Sequence, residues 1–215
     1  EAATIQSPAV QAAVAGARSI ALLSAAATGR YFAEYPEGLN LYGLSFNTAV
    51  GKTGISLQGE ISLKKDTPLQ VDDVELLFAT LSSLTNSAGS AFGTSNQIGN
   101  FLGQLNREIP GYRRHNVVTA QSTVTKVFGP TLGSQQFTLL GEVGGVWANL
   151  PGKDTLRYEG SGTFTSGSAA AMLATPFPTI PSTPLGAFAD KFSWGYQVLG
   201  RLDYNNVFPN VNMQP

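Results

Sequence analysis

The stretch Thr53-Gly54-Ile55-Ser56-Leu57-Gln58-Gly59-Glu60-Ile61-Ser62-Leu63-Lys64 changes polarity at every step. Ile55, Leu57, Gly59, Ile61 and Leu63 fall on one side, and Ser56, Gln58, Glu60, Ser62 and Lys64 on the other. A strand sends successive side chains to opposite faces, so this spelling makes a ribbon with one oily and one wet face. Four further segments are spelled in the same way. Repeated at about ten residues, the pattern is the signature expected of a membrane-spanning β-barrel.

Working outward, Asn40, Tyr42, Leu44 and Phe46 oppose Leu41, Gly43, Ser45 and Asn47, and Gly51-Lys52-Thr53-Gly54 joins this segment to the first as a hairpin. Val117 to Phe128 is the third strand, with Thr119, Gln121, Thr123 and Thr125 against Val118, Ala120, Val124 and the charged exception Lys126. Gly129-Pro130-Thr131-Leu132-Gly133 turns the chain into a fourth strand, which sets Phe137, Leu139, Val143 and Trp147 against Gln136, Thr138 and Glu142. The fifth places Phe192, Trp194, Tyr196, Val198, Leu202 and Tyr204 on one face and Ser193, Gln197, Arg201 and Asp203 on the other.

Aromatics gather toward the ends of this apolar row, as in the girdles where a barrel wall passes from lipid to water. We therefore expect Tyr42, Phe46, Phe137, Trp147, Phe192, Trp194, Tyr196 and Tyr204 to face lipid. Gln58, Glu60, Gln121, Glu142, Gln197, Arg201 and Asp203 either line a watery lumen or are the solvent side of a soluble antiparallel sheet.

Composition agrees with a thin, two-faced sheet. Charged residues are 13% of the 215, well below the ~25% of soluble domains, yet hydrophobic residues reach only 42%. Glycine, at 24 residues, and small hydroxyl residues take the place of charge. A net charge of −1 supplies no broad basic field for nucleic acid. Cysteine is absent, which removes disulfides, thiolate metal sites and cysteine nucleophiles. No apolar run reaches the ~18 residues of a membrane-spanning helix.

Between the strands the rhythm breaks. Pro8 to Thr28 has helical spacing through Val10, Val14, Ala17 and Ala21, and is expected to pack against a larger body. Tyr31 to Gly38 is an aromatic-rich bend. Residues 65–116 form one long excursion. Within it Leu69, Val74, Leu77, Phe78 and Leu81 are spaced as a helix, and Asp72, Asp73 and Glu75 sit where a helix start welcomes negative charge. Residues 148–190 form a second, rich in Gly, Ser, Thr and Pro. In a barrel such excursions lie on a rim or fold inward as a plug. The expected organisation is a helical or irregular leader over 1–30 and a barrel portion over 31–215. The fold class is all-β with short helices. Five strands cannot close a membrane barrel, which needs about eight, so the chain is expected to be an incomplete part of a longer one.

Catalytic and metal motifs fail on spacing. Gly51-Lys52-Thr53 ends like a phosphate loop, but the required earlier glycine falls on Phe46. His115, beside Arg113 and Arg114, is the single histidine, so a serine triad would have to use it. Asp72, Asp73 and Glu75 lack the Asp/Asn alternation and central glycine of a calcium loop. No catalytic, metal or cofactor residue is assigned.

Several segments have a family wording: Tyr31 to Asn47, Tyr112-Arg113-Arg114-His115-Asn116 leading into Val124 to Pro130, Leu139 to Trp147, and Trp194 to Asn206. Together they resemble a proteobacterial family of uncharacterised envelope proteins, domain-of-unknown-function family 1302, over residues 31–215. Members look like outer-membrane barrels longer than this chain, often encoded near an inner-membrane permease and a periplasmic protein. The resemblance implies the outer membrane of a Gram-negative bacterium, contact with outer-membrane lipid, and periplasmic and inner-membrane transport components as partners. It also implies passage or export of hydrophobic, lipid-like compounds. A soluble periplasmic lipid-binding β module and a serine hydrolase or esterase are the other expectations.

Overall fold

The computed structural model describes residues 7–83, 96–104, 106–173, 175, 179–208 and 211–213. Its main element is one antiparallel sheet. The strands are β1 (Asn40–Ala49), β2 (Ile55–Gln70), β3 (Tyr112–Phe128), β4 (Gln136–Ala148), β5 (Phe192–Phe208) and β6 (Val211–Met213), each beside the next in chain order. The order starts at β1 and stops at β6, so the sheet is open among the described residues, as suits part of a barrel. No described helix is long and apolar enough to cross a membrane.

All five alternating segments are strands, but two run further than their spelling. β2 continues through Pro68 to Gln70, where Lys64-Lys65-Asp66 interrupts the alternation. β3 starts at Tyr112, so the basic cluster is strand and not loop. Ladder hydrogen bonds join backbone, and they persist where the side chains cease to alternate. β6 was not anticipated.

The turns follow their residues. Gly51 (φ +51°) and Gly54 (φ +69°) take left-handed conformations between β1 and β2, and the Thr53 hydroxyl donates to the Val50 carbonyl at 2.6 Å. That is the hairpin role expected of Gly51-Lys52-Thr53. After β3 the chain reverses through Thr131, whose carbonyl accepts from the Ser134 amide at 3.0 Å.

Two compact units divide the chain. The first comprises Glu1–Pro36, Pro68–Arg113 and Pro151–Ala189, and the second Glu37–Thr67, Arg114–Leu150 and Asp190–Pro215. The second is the bulk of the sheet.

The first unit holds helices α1 (Pro8–Ala26), α2 (Asp73–Leu81) and α3 (Ala169–Leu173). Ser7 starts α1, its hydroxyl accepting from the Val10 amide at 3.3 Å ahead of Pro8 in the first turn. α1 approaches α2 within this unit, while residues 11–17 stay exposed, since an alanine face offers little area to bury. Phe78 and Leu81 of α2 meet Ala171 and Met172 of α3 in a small apolar core. Leu69, counted with the helix by spacing, belongs to β2.

Candidate functional site

The sheet's two faces are the candidate surface. Pairing β4 with β5 sets Trp147 against Phe192, Gly145 against Trp194, Val143 against Tyr196 and Gly141 against Val198. Pairing β3 with β4 adds Val118 opposite Trp147 and Phe128 opposite Phe137 on the same face. β1 and β2 repeat it with Tyr42 opposite Leu63 and Phe46 opposite Gly59. The Val127 amide donates to the Gly54 carbonyl at 3.0 Å, which levels even positions of β2 with odd positions of β3 and continues the apolar face across the junction.

This face is uncovered. Phe192, Trp194, Tyr196 and Val198 are 57%, 65%, 74% and 66% exposed. Tyr42, Phe46 and Trp147 are exposed too, while Phe137 and Tyr204 are half-buried. Tyr204 donates its hydroxyl to the Leu132 carbonyl at 3.1 Å, and Phe128 stacks on Phe137 at 5.3 Å. Two polar side chains on the apolar side turn back onto backbone. Ser122 donates to the Gln58 carbonyl at 3.1 Å. Lys126 reaches the Thr53 carbonyl in the turn, with its ammonium 5.6 Å from the Phe128 ring, so its charge leaves the row at the sheet's end.

Aromatic rings also lie beside glycines. A Cβ on Gly59 would sit 2.4 Å from the Phe46 ring, one on Gly200 3.2 Å from Phe137, and one on Gly145 3.3 Å from Phe192. These contacts explain the aromatic-glycine wording of the strands: the ring occupies the space a side chain would take.

Gln58, Glu60, Gln121, Glu142, Gln197, Arg201 and Asp203 share the opposite face. Glu142 stands across from Gln197 and accepts the Thr123 hydroxyl at 3.0 Å. Asp203 differs from the rest. It is buried and ion-paired with Arg201 at 3.1 Å, two positions along the same strand. The face is not polar throughout: Leu140 stands opposite Leu199, which is 60% exposed, and Val146 is exposed opposite Ser193. Sequence reasoning passed over these apolar members, although their even and odd positions were legible.

The basic cluster is tied to backbone. Arg113 donates to the Pro110 carbonyl at 3.0 Å, and Arg114 to the Glu37 carbonyl at 2.8 Å. His115 Nδ1 lies 2.7 Å from the Asn149 carbonyl oxygen, where a triad would set a carboxylate.

The first unit encloses a buried polar group. Glu75 is ion-paired with Arg157, both almost fully buried, and accepts the Gln97 amide at 2.7 Å and the Ser166 hydroxyl at 3.2 Å. Arg157 also lies 5.6 Å over the Phe188 ring. Glu75 is therefore a core residue and not a solvated helix-start charge, whereas Asp73 keeps the first-turn role. Beside them, burial first, then the charges of Glu75, Glu159 and Asp73, push the Asp72 carboxyl up to about 7. Asp73 is raised as well, by burial and then by Glu159.

No curated protein and no solved structure matches the chain. A protein family of unknown function, DUF1302, matches residues 6–215, and the chain belongs to it.

Proposed function

We propose that this member of the family is wall from a β-barrel in the outer membrane of a Gram-negative bacterium, and that the barrel passes hydrophobic, lipid-like compounds across the envelope. The observation that carries the reading is the uncovered row Phe192, Trp194, Tyr196 and Val198, flanked on β4 by exposed Trp147 and Val143. A continuous apolar surface of this kind calls for an apolar medium.

The dimensions support it. Ten positions separate Phe137 from Trp147, and ten separate Phe192 from Leu202. At ~3.3 Å per residue that is about 33 Å of strand, and at a tilt of about 40° it spans about 25 Å, the height of an outer-membrane apolar band. Trp147, Phe192 and Trp194 occupy one end of that length, and the Phe128–Phe137 stack the other. The edges of β1 and of β5 before Tyr204, unpaired among the described residues, need partners in hydrocarbon, which further strands of a barrel supply.

The mixed opposite face favours amphipathic cargo over ions. Leu140 and Leu199 offer an apolar footing next to Glu142 and Gln197, a pairing suited to a molecule with an acyl part and a polar end. Outer-membrane lipid is the surrounding medium, and periplasmic and inner-membrane transport components are the partners such export requires. Nucleic acid is not among them.

The two tryptophans, Trp147 and Trp194, report on the row directly. In the whole barrel reconstituted into vesicles whose lipids are brominated along the acyl chains, their fluorescence is expected to fall strongly, with Trp194→Phe removing part of the quenched signal. Equal emission in brominated and ordinary vesicles would refute the reading and favour a soluble lipid-binding module.

A further inference from the structure

Residues 70–73 and 157–159 are joined by a short antiparallel bridge. Val71 pairs with Tyr158, the Asp72 amide donates to the Arg157 carbonyl at 3.1 Å, and the Glu159 amide donates to the Gln70 carbonyl at 3.1 Å. The bridge brings three carboxylates together: oxygens of Asp72, Asp73 and Glu159 lie within 4.8 Å of one another. Two bonds of ~2.4 Å to one calcium ion span at most that distance.

An acidic cluster alone is common on protein surfaces, but this one contains a group that needs a partner. Asp72 is 0% exposed, and neither of its carboxylate oxygens makes a hydrogen bond among the described residues. It stands at the N-cap of α2, where a carboxylate ordinarily accepts a helix amide, yet its side chain makes no capping bond. A buried carboxylate without donors is costly unless a cation or proton meets it.

Glu159, by contrast, is held in place. One oxygen accepts the Asp73 amide at 3.0 Å and the other the Thr163 hydroxyl at 3.0 Å. The nearby cation, Arg157, is already ion-paired with Glu75.

We propose that Asp72, Asp73 and Glu159 bind a calcium-class divalent cation. The donors are all oxygen, which selects a hard ion over zinc or copper. Calcium is preferred to magnesium because carboxylate oxygens spread over as much as 4.8 Å suit its longer bonds and flexible geometry better than the tight octahedron magnesium demands. The ion ties the start of α2 to a segment 86 positions away along the chain, and so fastens the two long excursions to each other. The site does not depend on the membrane reading.

The test uses the full chain, freed of metal by chelator, in calorimetric titrations with CaCl2 and MgCl2. One saturable calcium site is expected, with Asp72→Asn and Glu159→Gln each weakening it at least tenfold. Amide exchange over 70–73 and 157–159 should slow when CaCl2 is added to the native chain and not in Asp72→Asn. In chelator, Asp72→Asn should exchange more slowly than the native chain, since it removes an unmet charge and keeps the shape. Absence of saturable calcium heat, unchanged affinity in Asp72→Asn, or faster exchange of that variant in chelator would each overturn the site. Tighter binding of magnesium would overturn the choice of ion.

Discussion

Gln197 and Val198 are chain neighbours on opposite faces of β5, both exposed, and arginine at each separates a membrane wall from a soluble sheet. Val198 lies six positions from Phe192, so about 20 Å along the strand and about 15 Å up a wall tilted by ~40°. In a band about 25 Å tall that is within about 3 Å of the midplane, where a lipid-facing arginine costs about 2–4 kcal/mol. At Gln197 an arginine would meet Glu142 across the strand pair, on the side away from lipid, and should change stability by less than about 0.5 kcal/mol. The assay is guanidinium unfolding of each variant, made in the whole barrel, in phosphatidylcholine vesicles, with tryptophan emission as the probe. Val198→Arg should lower the midpoint clearly and Gln197→Arg should not. If Val198→Arg is as mild as Gln197→Arg, the exposed row faces water and the barrel reading fails.

Two further outcomes concern the first unit. Glu75→Ala strands Arg157 in the interior beneath Phe188 and should destabilise the unit by roughly 3–5 kcal/mol, while Glu75→Leu with Arg157→Met should restore most of it; amide exchange over 153–166 measures both. In calcium-free buffer, Asp72 keeps its proton to about 7 when folded but releases it near 3.8 when unfolded. The folded chain then holds more protons across that window, so stability is full below about 3.8 and declines as pH rises toward about 7. The decline is at most on the order of 4 kcal/mol, at about 1.4 kcal/mol per pH unit. Exchange measured at pH 5 and pH 8 should show it, and Asp72→Asn should flatten the profile.

Strand positions were legible because burial of one face writes itself as alternation, which is clearest from Thr53 to Lys64 and from Phe192 to Val198. The ends of β2 and β3 were not, since Lys64-Lys65-Asp66 and Arg113-Arg114-His115 are polar at every step and carry no alternation. The acidic run Asp72-Asp73-Glu75 was visible, but its partners were not. Glu75 meets Arg157, 82 positions on, and Asp73 meets Glu159, 86 positions on, through a bridge that local spacing does not encode. One available hint was Arg157-Tyr158-Glu159, a charged and aromatic triplet just ahead of a run rich in Gly, Ser and Thr.

The rings parked beside glycines bear on how the strands find each other. Face polarity forbids a slip of one position but tolerates a slip of two, which keeps every oily residue on its own side. A two-position slide would carry Phe46 from Gly59 to Leu57 or Ile61, and would move the Phe137 ring, which leans from its partner Leu202 onto Gly200, over Val198 or Leu202. Each alternative sets a phenyl ring against a branched side chain. The glycines thus act like notches in a key, admitting one alignment out of several that hydrophobicity alone would accept.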